Sequence, residues 1–288
     1  MVRIEHRIHI ICGHYGCGKT NLALNLALTL RRKGEKVTVA DLDIVNPYFR
    51  TADYKEVLEK QGVRVICPHS AGTTIDAPQI NAEIFSIFDR PEGHVVIDVG
   101  GDDAGAAALG RFKRQIEAAG GCEMLYVVNR YRKLVETPEE AVSLLHEVEA
   151  ASRLKATGVV NNSHLSSLTT AEDILGSLPY AQEALADSLL TVLKKGGDFA
   201  QTAARYSVYD ATAANGGEVG VLPFSAFTGE FAAALANARQ GDIVKIASGD
   251  AIQLMQVYRA DKPSKHVQVA TITYPVEASA ATRRDVHN

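Results

Sequence analysis

The sequence predicts an α/β protein, and three observations carry that prediction. Short apolar runs alternate with helical stretches over residues 1–180. The runs are almost continuously apolar, as in the strands of a parallel sheet that is covered by helices on both faces. A glycine-rich turn follows the first run. We therefore expect a doubly wound parallel sheet in residues 1–180, a smaller, incomplete α+β segment in 183–262, and a tail, 263–288, that looks like the start of a further domain.

The elements of the first part follow one another in a regular order. The first helix, Asn21–Arg32, carries leucines at helical spacing. The helix over 138–153 opens with a capping box at Thr137 and a proline in its first turn. The predicted strands are Ile8–Cys12, Lys36–Ala40, Val63–Cys67, His94–Asp98, Met124–Asn129 and Thr157–Asn161, and the other helices cover 50–61, 78–89 and 103–119.

Composition and charge narrow the class of protein. The 288-residue chain has a formal net charge of −4 and a pI of 6.1, which argues against binding nucleic acid through bulk positive charge. No apolar run approaches the roughly 20 residues that cross a bilayer. Residues 1–9 lack an apolar signal core, so we expect a cytoplasmic protein without membrane contact.

The stretch Gly13–Thr20 fits the phosphate-loop pattern of a glycine, four free positions and Gly-Lys-Thr. A strand precedes it and a helix follows, as such a loop requires. Glycines let backbone N–H groups turn toward a polyphosphate, and the positive end of the helix faces the same anion. Lys19 would contact the β- and γ-phosphates, and the Thr20 hydroxyl would bind Mg²⁺. The alternative is a chance match in a glycine-rich turn.

Two predicted strands end in carboxylates. Asp98 closes an apolar strand and is followed by Gly100 and Gly101, the form of a Walker B strand, so Asp98 would hold magnesium through water. Of the pair that follows another strand, Asp43 would orient the attacking water and Asp41 would contact the shell of the metal. The alternatives are a helix cap for Asp98 and a solvated turn for the pair.

These candidates share one edge of the predicted sheet. Parallel sheets bind ligands at the carboxyl ends of their strands, and the phosphate loop and all three aspartates fall there. Asn129 and Asn161 end two further strands at the same edge. The chain has no Asn-Lys-x-Asp string that would read guanine. One crevice should therefore collect every candidate.

The phosphate loop, the strand end at Asp41-Leu42-Asp43 and the run Asp98–Gly101 together resemble the ParA/MinD-type branch of P-loop ATPases over about residues 5–180. The resemblance implies an ATP-binding, Mg²⁺-dependent, slowly hydrolysing switch that forms a homodimer on ATP and serves an unidentified protein partner. Catalysis is assigned to Lys19 and Asp43. The predicted metal residues are Thr20, Asp41 and Asp98, and the predicted nucleotide-binding residues are Gly13, His14, Gly16, Cys17, Gly18, Lys19, Thr20, Asn21 and Asn161.

Three positions qualify what this resemblance implies. The branch usually has a lysine, which contacts phosphates across the dimer, where this chain has His14. Histidine has a reference pKa of about 6.5, so His14 would carry only partial charge near neutrality unless phosphates raise its pKa. By the same resemblance Asn161 would face adenine, although it would equally serve as a cap. The loop Asn46–Arg50 resembles a nucleotide-sensing switch.

The character of the chain changes after Tyr180. Helices are expected over Glu183–Lys195 and Phe227–Ala238, and strands over Glu218–Leu222 and Ala251–Val257. The runs Leu193–Ala200, Tyr206-Ser207, Ala214–Gly220 and Gly229–Val244 resemble parvulin-type peptidyl-prolyl isomerases over about residues 183–260.

Two departures from that family bear on its activity. The opening, histidine-bearing strand is missing, since Ala184 already lies in a helix, and the place of a second histidine falls near Gln253. We therefore expect a peptide-binding or structural remnant rather than an active isomerase. Residues 266–272 look like the first strand of a following domain, which suggests a chain that joins two truncated pieces.

The function that the sequence favours is ATP binding and slow hydrolysis. The competing classes are a nucleotide-binding regulator without turnover, a small-molecule kinase, and a peptidyl-prolyl isomerase or chaperone module. A kinase needs an acceptor site, and no lid with clustered arginines is evident in the sequence.

Overall fold

The computed structural model describes residues 6–43, 51–67, 82–89, 92–101, 103–249, 251–261 and 266–275. Contacts between residues divide the chain into two compact units, Met1–Leu168 and Thr169–Asn288. The predicted switch loop 46–50, residues 78–81 of a predicted helix and the end of the tail, 276–288, lie outside the described residues.

The first unit is built on a sheet of six strands. In chain order these are β1 (Ile8–Gly13), β2 (Val37–Leu42), β3 (Arg64–Ile66), β4 (His94–Val99), β5 (Glu123–Val128) and β6 (Gly158–Asn161). They lie in the order β3-β2-β4-β1-β5-β6, and every pairing is parallel. The predicted parallel sheet is confirmed, and the carboxyl ends of all its strands meet at one edge.

Helices connect these strands. They are α1 (Lys19–Arg32), α2 (Lys55–Lys60), α3 (Ser86–Asp89), α4 (Asp103–Gly110), α5 (Lys113–Ala118) and α6 (Pro138–Ser152), with short 3₁₀ helices at Thr51–Tyr54, Ala82–Phe85 and Ser166–Leu168. The predicted helix over 103–119 is therefore two helices. The break follows Gly110, whose low helix propensity makes it a weak interior residue, and the buried Phe112 immediately precedes the next helix.

Apolar burial explains why α1 packs where it does. Ala23, Leu24, Ala27 and Leu30 recur at helical spacing and are all buried against strands of the sheet. Burying each leucine contributes about 1.5–3 kcal/mol relative to leaving it exposed. Because this face is fixed against β1 and β4, the first turn of α1 is held directly at the carboxyl end of β1.

The second unit contains an antiparallel sheet. Its helices are α7 (Ala171–Gly176), α8 (Leu178–Lys194), α9 (Phe199–Tyr206), α10 (Asp210–Ala213) and α11 (Gly229–Leu235), with a 3₁₀ helix at Phe224–Ala226. Its strands are β7 (Glu218–Pro223), β8 (Ile243–Ser248), β9 (Ala251–Asp261) and β10 (His266–Pro275). The sheet order is β7-β10-β9-β8, and all of these pairings are antiparallel.

The position of β10 corrects the expectation of a further domain after residue 262. This strand lies between β7 and β9 and pairs with both of them. Val269 and Ile272 are buried, and Val269 packs in the same apolar cluster as Val257 of β9. Backbone pairing on both sides and burial of apolar side chains thus make residues 266–275 part of the second unit. Among the described residues, no helix combines the length and apolar character needed to span a membrane.

An ion cluster ties β8 to α8 in this unit. The Lys245 ammonium on β8 donates to Asp187 Oδ1 at 2.5 Å and also to the Glu183 carboxylate, both on α8. Burial lowers the pKa of Lys245, but the hydrogen bonds and charges of the two carboxylates outweigh it and raise that pKa above its ordinary value. Charge-assisted bonds of this kind are stronger than neutral ones.

We predict that Lys245→Met lowers the free energy of unfolding of the second unit by about 1–3 kcal/mol, because two carboxylates lose their shared donor. Since the folded-state pKa is raised, the contribution of Lys245 is present at neutral pH and disappears as the pH rises above the ordinary lysine value of about 10.5. Urea unfolding measures the change. The exposed Lys194→Met is the control, and equal stability of the two variants would contradict the prediction.

Candidate functional site

The phosphate loop joins β1 to α1. β1 ends at Gly13 and α1 begins at Lys19. Gly13, Gly16 and Gly18 have φ angles of 145°, 70° and 85°, which glycine adopts without steric cost. Among the described residues, no side chain caps the N-terminus of α1. The first turn of α1 therefore has room for an anion at its positive end.

Two of these glycines leave no space for a side chain. A Cβ at Gly13 would lie 2.3 Å from the carbonyl oxygen of Val127, and a Cβ at Gly18 would lie 2.3 Å from Nδ2 of Asn162. Val127 belongs to β5, and Asn162 follows β6. The loop is therefore packed tightly against the ends of these strands.

Side chains from beyond the loop hold it by its carbonyl oxygens. Arg132 Nε donates to the carbonyl of Gly16 at 3.0 Å, and Asn162 Nδ2 donates to the carbonyl of Cys17 at 2.7 Å. A hydrogen bond to a restrained donor limits the rotation of a peptide group. The curvature of the loop is thus fixed from the side of β5 and β6.

Lys19 carries a buried positive charge at this loop. Lys19 is only 7% exposed. Its Nζ donates a hydrogen bond to the carbonyl of His14 at 3.1 Å and lies 5.7 Å from the ring centroid of Tyr15. A Cβ at Gly101 would lie 3.0 Å from this Nζ. In the described part of the chain, Lys19 forms no ion pair with a carboxylate. A buried ammonium in this position favours an anionic ligand.

Asp98 lies opposite the first turn of α1. It is 1% exposed, and its Oδ2 accepts hydrogen bonds from Thr20 Oγ1 at 2.7 Å and from Thr51 Oγ1 at 3.0 Å. Its Oδ1 is buried and has no hydrogen-bond partner among the described residues. Burial raises the pKa of Asp98 to about 6, against the opposing effects of the Thr20 hydroxyl, Lys19 and the Thr51 hydroxyl.

The donor set at Asp98 fits a magnesium ion. A buried carboxylate oxygen without a partner and a threonine hydroxyl are hard oxygen ligands, which Mg²⁺ prefers. Among the described residues, no group of three or more His, Cys, Asp or Glu side chains is arranged as a metal site of its own.

Asp41 and Asp43 lie beside Asp98. Asp41 pairs in register with Asp98 across β2 and β4, and its Oδ1 accepts a hydrogen bond from the backbone N–H of Asp43 at 2.9 Å. β2 ends at Leu42, so Asp43 is the first residue past the strand. Both aspartates are buried, which does not fit the solvated turn considered as their alternative. The structure brings all three carboxylates together with the phosphate loop.

The two asparagines after β6 have different surroundings. Asn161 Oδ1 accepts hydrogen bonds from the backbone N–H of Ser163 at 3.2 Å and from its hydroxyl at 2.7 Å. These contacts are local to the segment after β6 and are of the Asx-turn type. Asn162, which the sequence analysis did not select, is the residue that contacts the phosphate loop.

The segments after β5 and β6 are joined by Asn129. Its Nδ2 donates to the carbonyl of His164 at 3.2 Å, and its Oδ1 accepts from the backbone N–H groups of Tyr131 and His164. The His164 ring lies near Gly18, and burial, followed by the charge of Arg132, lowers its pKa. Asn129 therefore positions the residues that hold the loop.

His14 and Cys17 are both held in low-polarity surroundings within the loop. Burial, together with the charge of Lys19, lowers the pKa of His14, and its Nδ1 is buried without a hydrogen-bond partner among the described residues. Burial raises the pKa of the Cys17 thiol, which donates to the carbonyl of His14. These surroundings thus disfavour the charged form of His14 and the thiolate form of Cys17.

Three residues at the site were absent from the sequence-based set: Arg132, Asn162 and Thr51. Asn162 adjoins a predicted residue, so the end of β6 was the available signal. No local sequence pattern indicated that Arg132, after β5, or Thr51, in a 3₁₀ helix, would reach the site.

Comparisons with protein families agree with both resemblances. Residues 3–77 match the ParA family model, which is described as an NUBPL iron-transfer P-loop NTPase. Residues 168–260 match a family model described as a PPIC-type PPIase domain.

Curated relatives match the chain over 142 residues. They include the chaperone SurA of Escherichia coli O157:H7 and that of Shigella flexneri, each 29% identical over 49% of this chain. The matched region spans 32% of the length of each relative.

Solved structures that are similar to part of the chain are distant in sequence. The kinase domain of the Escherichia coli tyrosine kinase ETK is 20% identical, with a TM-score of 0.41, over 59% of this chain and 72% of that one. The cell division protein FtsY from Thermotoga maritima is 22% identical, with a TM-score of 0.37, over 54% of this chain and 52% of that one. Residues 3–77, in the first unit, are thus similar to the ParA-type P-loop NTPase model, and residues 168–260, which include most of the second unit, are similar to the PPIC-type parvulin model.

Proposed function

We propose that the first unit binds ATP with Mg²⁺ and hydrolyses it slowly, as a nucleotide switch. The observation that carries this proposal is that two buried groups lie near Thr20. One is the Lys19 ammonium, and the other is Asp98 Oδ1, which has no hydrogen-bond partner among the described residues. The Lys19 ammonium supplies a counter-charge for phosphate, and the Asp98 oxygen supplies a ligand for a hydrated cation.

The residues of the loop and the three aspartates would have different roles in hydrolysis. Lys19 and the backbone N–H groups of Gly13–Thr20 would bind the phosphates and stabilise the charge that develops on them. Bound Mg²⁺ would neutralise charge on the β- and γ-phosphates. Thr20 and Asp98 would hold the magnesium ion, and Asp41 would contact its outer shell. Asp43 would orient the attacking water.

Base preference and assembly follow from the same proposal. We propose adenine as the base and Asn161 as the residue that faces it, which is what the resemblance to the ParA/MinD-type branch implies. A regulator without turnover would use the same contacts and differ only in its rate of hydrolysis. An ATP-dependent homodimer, an unidentified protein partner and a cytoplasmic location belong to the proposal as further expectations.

We predict that Lys19→Ala weakens ATP binding tenfold or more, because a hydrogen bond to a charged group contributes about 1.5–3 kcal/mol. Titration with a fluorescent ATP analogue in the presence of Mg²⁺ measures the affinity of the full chain. Lys60→Ala removes an exposed lysine of α2 and is the matched control. Unchanged affinity in Lys19→Ala would exclude the phosphate contact.

We predict that His14 makes ATP binding depend on pH. Its pKa is lowered in the free protein, and a bound phosphate would raise it, so binding takes up a proton and affinity rises as the pH falls. Between about pH 8 and pH 6 the wild type should gain more affinity than His14→Ala, since that range brackets the ordinary histidine pKa. ATP protonates equally in both titrations, and parallel profiles would show that His14 makes no phosphate contact.

A second function, peptide binding or prolyl isomerisation by the second unit, is supported by the match of residues 168–260 to the parvulin family. Gln253 stands on β9, near the place of a family histidine, and its Oε1 accepts a hydrogen bond from the Thr271 hydroxyl at 3.1 Å. A neutral amide cannot replace the acid–base character of an imidazole. Peptide binding without isomerisation is therefore the form that we propose.

We predict that the full chain binds proline-containing peptides without accelerating their cis–trans exchange. Fluorescence anisotropy measures binding, and a coupled proline-isomerisation assay measures exchange. A peptide with alanine in place of proline is the control. Exchange clearly above the uncatalysed rate would contradict the proposed loss of isomerase activity, and absence of binding would remove this second function.

A further inference from the structure

Thr51 is buried at the site although no sequence pattern selects it. It begins the 3₁₀ helix Thr51–Tyr54, is 0% exposed, and donates through Oγ1 to Asp98 Oδ2 at 3.0 Å. A hydroxyl in an apolar interior is costly unless it is hydrogen-bonded, and valine would fill the same volume without that cost. The contact with Asp98 is therefore the feature that distinguishes threonine from valine at this position.

The geometry of the two threonines determines which oxygen of Asp98 is available. Thr20 and Thr51 donate to the same atom, Oδ2, at 2.7 Å and 3.0 Å. An ionised carboxylate oxygen has about two lone-pair sites, so two hydroxyl donors occupy Oδ2. Oδ1 is buried and has no partner among the described residues. The carboxylate is thus held in one orientation, with Oδ1 as the oxygen available to a hydrated cation.

Thr51 contacts the site from a different part of the chain than Thr20. Thr20 lies in the first turn of α1, whereas Thr51 lies in the segment that runs from Asp43 toward α2. Their contacts to one atom connect the phosphate loop, the end of β4 and this segment through a single carboxylate. Removal of the Thr51 hydroxyl would leave Thr20 as the one described donor to Oδ2 and would weaken the restraint on the orientation of the Asp98 carboxylate.

We propose that Thr51 is a positioning residue of the magnesium site, which orients Asp98 so that Oδ1 receives the hydrated ion. The inference rests on the proposed binding of ATP with Mg²⁺ and assigns one more residue to that site. Thr51 acts through Asp98 and does not itself contact the metal. Its loss should therefore affect the contribution of Mg²⁺ to binding, and leave the metal-free binding of nucleotide unchanged.

The test compares Thr51→Val with Thr51→Ser in the full chain. Calorimetric titration gives the affinity for ATP with Mg²⁺ and with a chelator, and the ratio of the two is the magnesium enhancement. We expect Thr51→Val to lower this enhancement about tenfold, the value of one hydrogen bond to a charged group. Thr51→Ser keeps the hydroxyl and should retain the wild-type ratio. Thermal unfolding shows that each variant is folded.

Four results would overturn the inference. An unchanged magnesium enhancement in Thr51→Val would show that Asp98 needs no second hydroxyl. An equal loss of affinity with and without Mg²⁺, or failure of Thr51→Val to fold, would show that the hydroxyl has a general structural role. If the wild type itself showed ATP binding without any magnesium enhancement, the proposed magnesium site would fail, and the role of Thr51 with it.

Discussion

Two buried groups of opposite charge, Lys19 and Asp98, lie at the N-terminal end of α1 and constrain the rest of the first unit. Lys19 and Asp98 are both removed from water, and such groups are unfavourable unless their surroundings compensate them. Two threonine hydroxyls compensate Asp98 in part, and a carbonyl and an aromatic ring do so for Lys19. A triphosphate with its magnesium ion would complete both environments at once. The apolar packing of α1 against the sheet holds the two charges in place for that ligand.

The sheet topology accounts for how many separate parts of the chain reach this point. β4 lies between β1 and β2, so Asp98 stands beside both the strand that leads into the phosphate loop and the carboxylates at the end of β2. On the other side, β5 and β6 bring Arg132 and Asn162 to the carbonyl oxygens of the loop. β2 and β4 thus contribute ligand candidates at this edge, and the segments after β5 and β6 contribute residues that fix the loop.

Local patterns predicted the parts of this arrangement that depend on neighbouring residues. The phosphate loop, the strand that ends at Asp98 and the capping box at Thr137 were all visible in the sequence, and the structure has each of them. Contacts between distant segments were not predictable in this way. Thr51 reaches Asp98 across 47 positions. Likewise, the choice of Asn162 over Asn161 depends on where β6 ends, and β10 joins its sheet only through long-range pairing.

The most direct test of the central claim is a calorimetric titration of the wild-type full chain with ATP and with GTP, each with Mg²⁺ and with a chelator. A preformed anion site with Asp98 opposite Thr20 predicts saturable binding of ATP that strengthens with Mg²⁺. The proposed preference for adenine predicts weaker binding of GTP. Absence of binding of either nucleotide under both conditions would contradict the account.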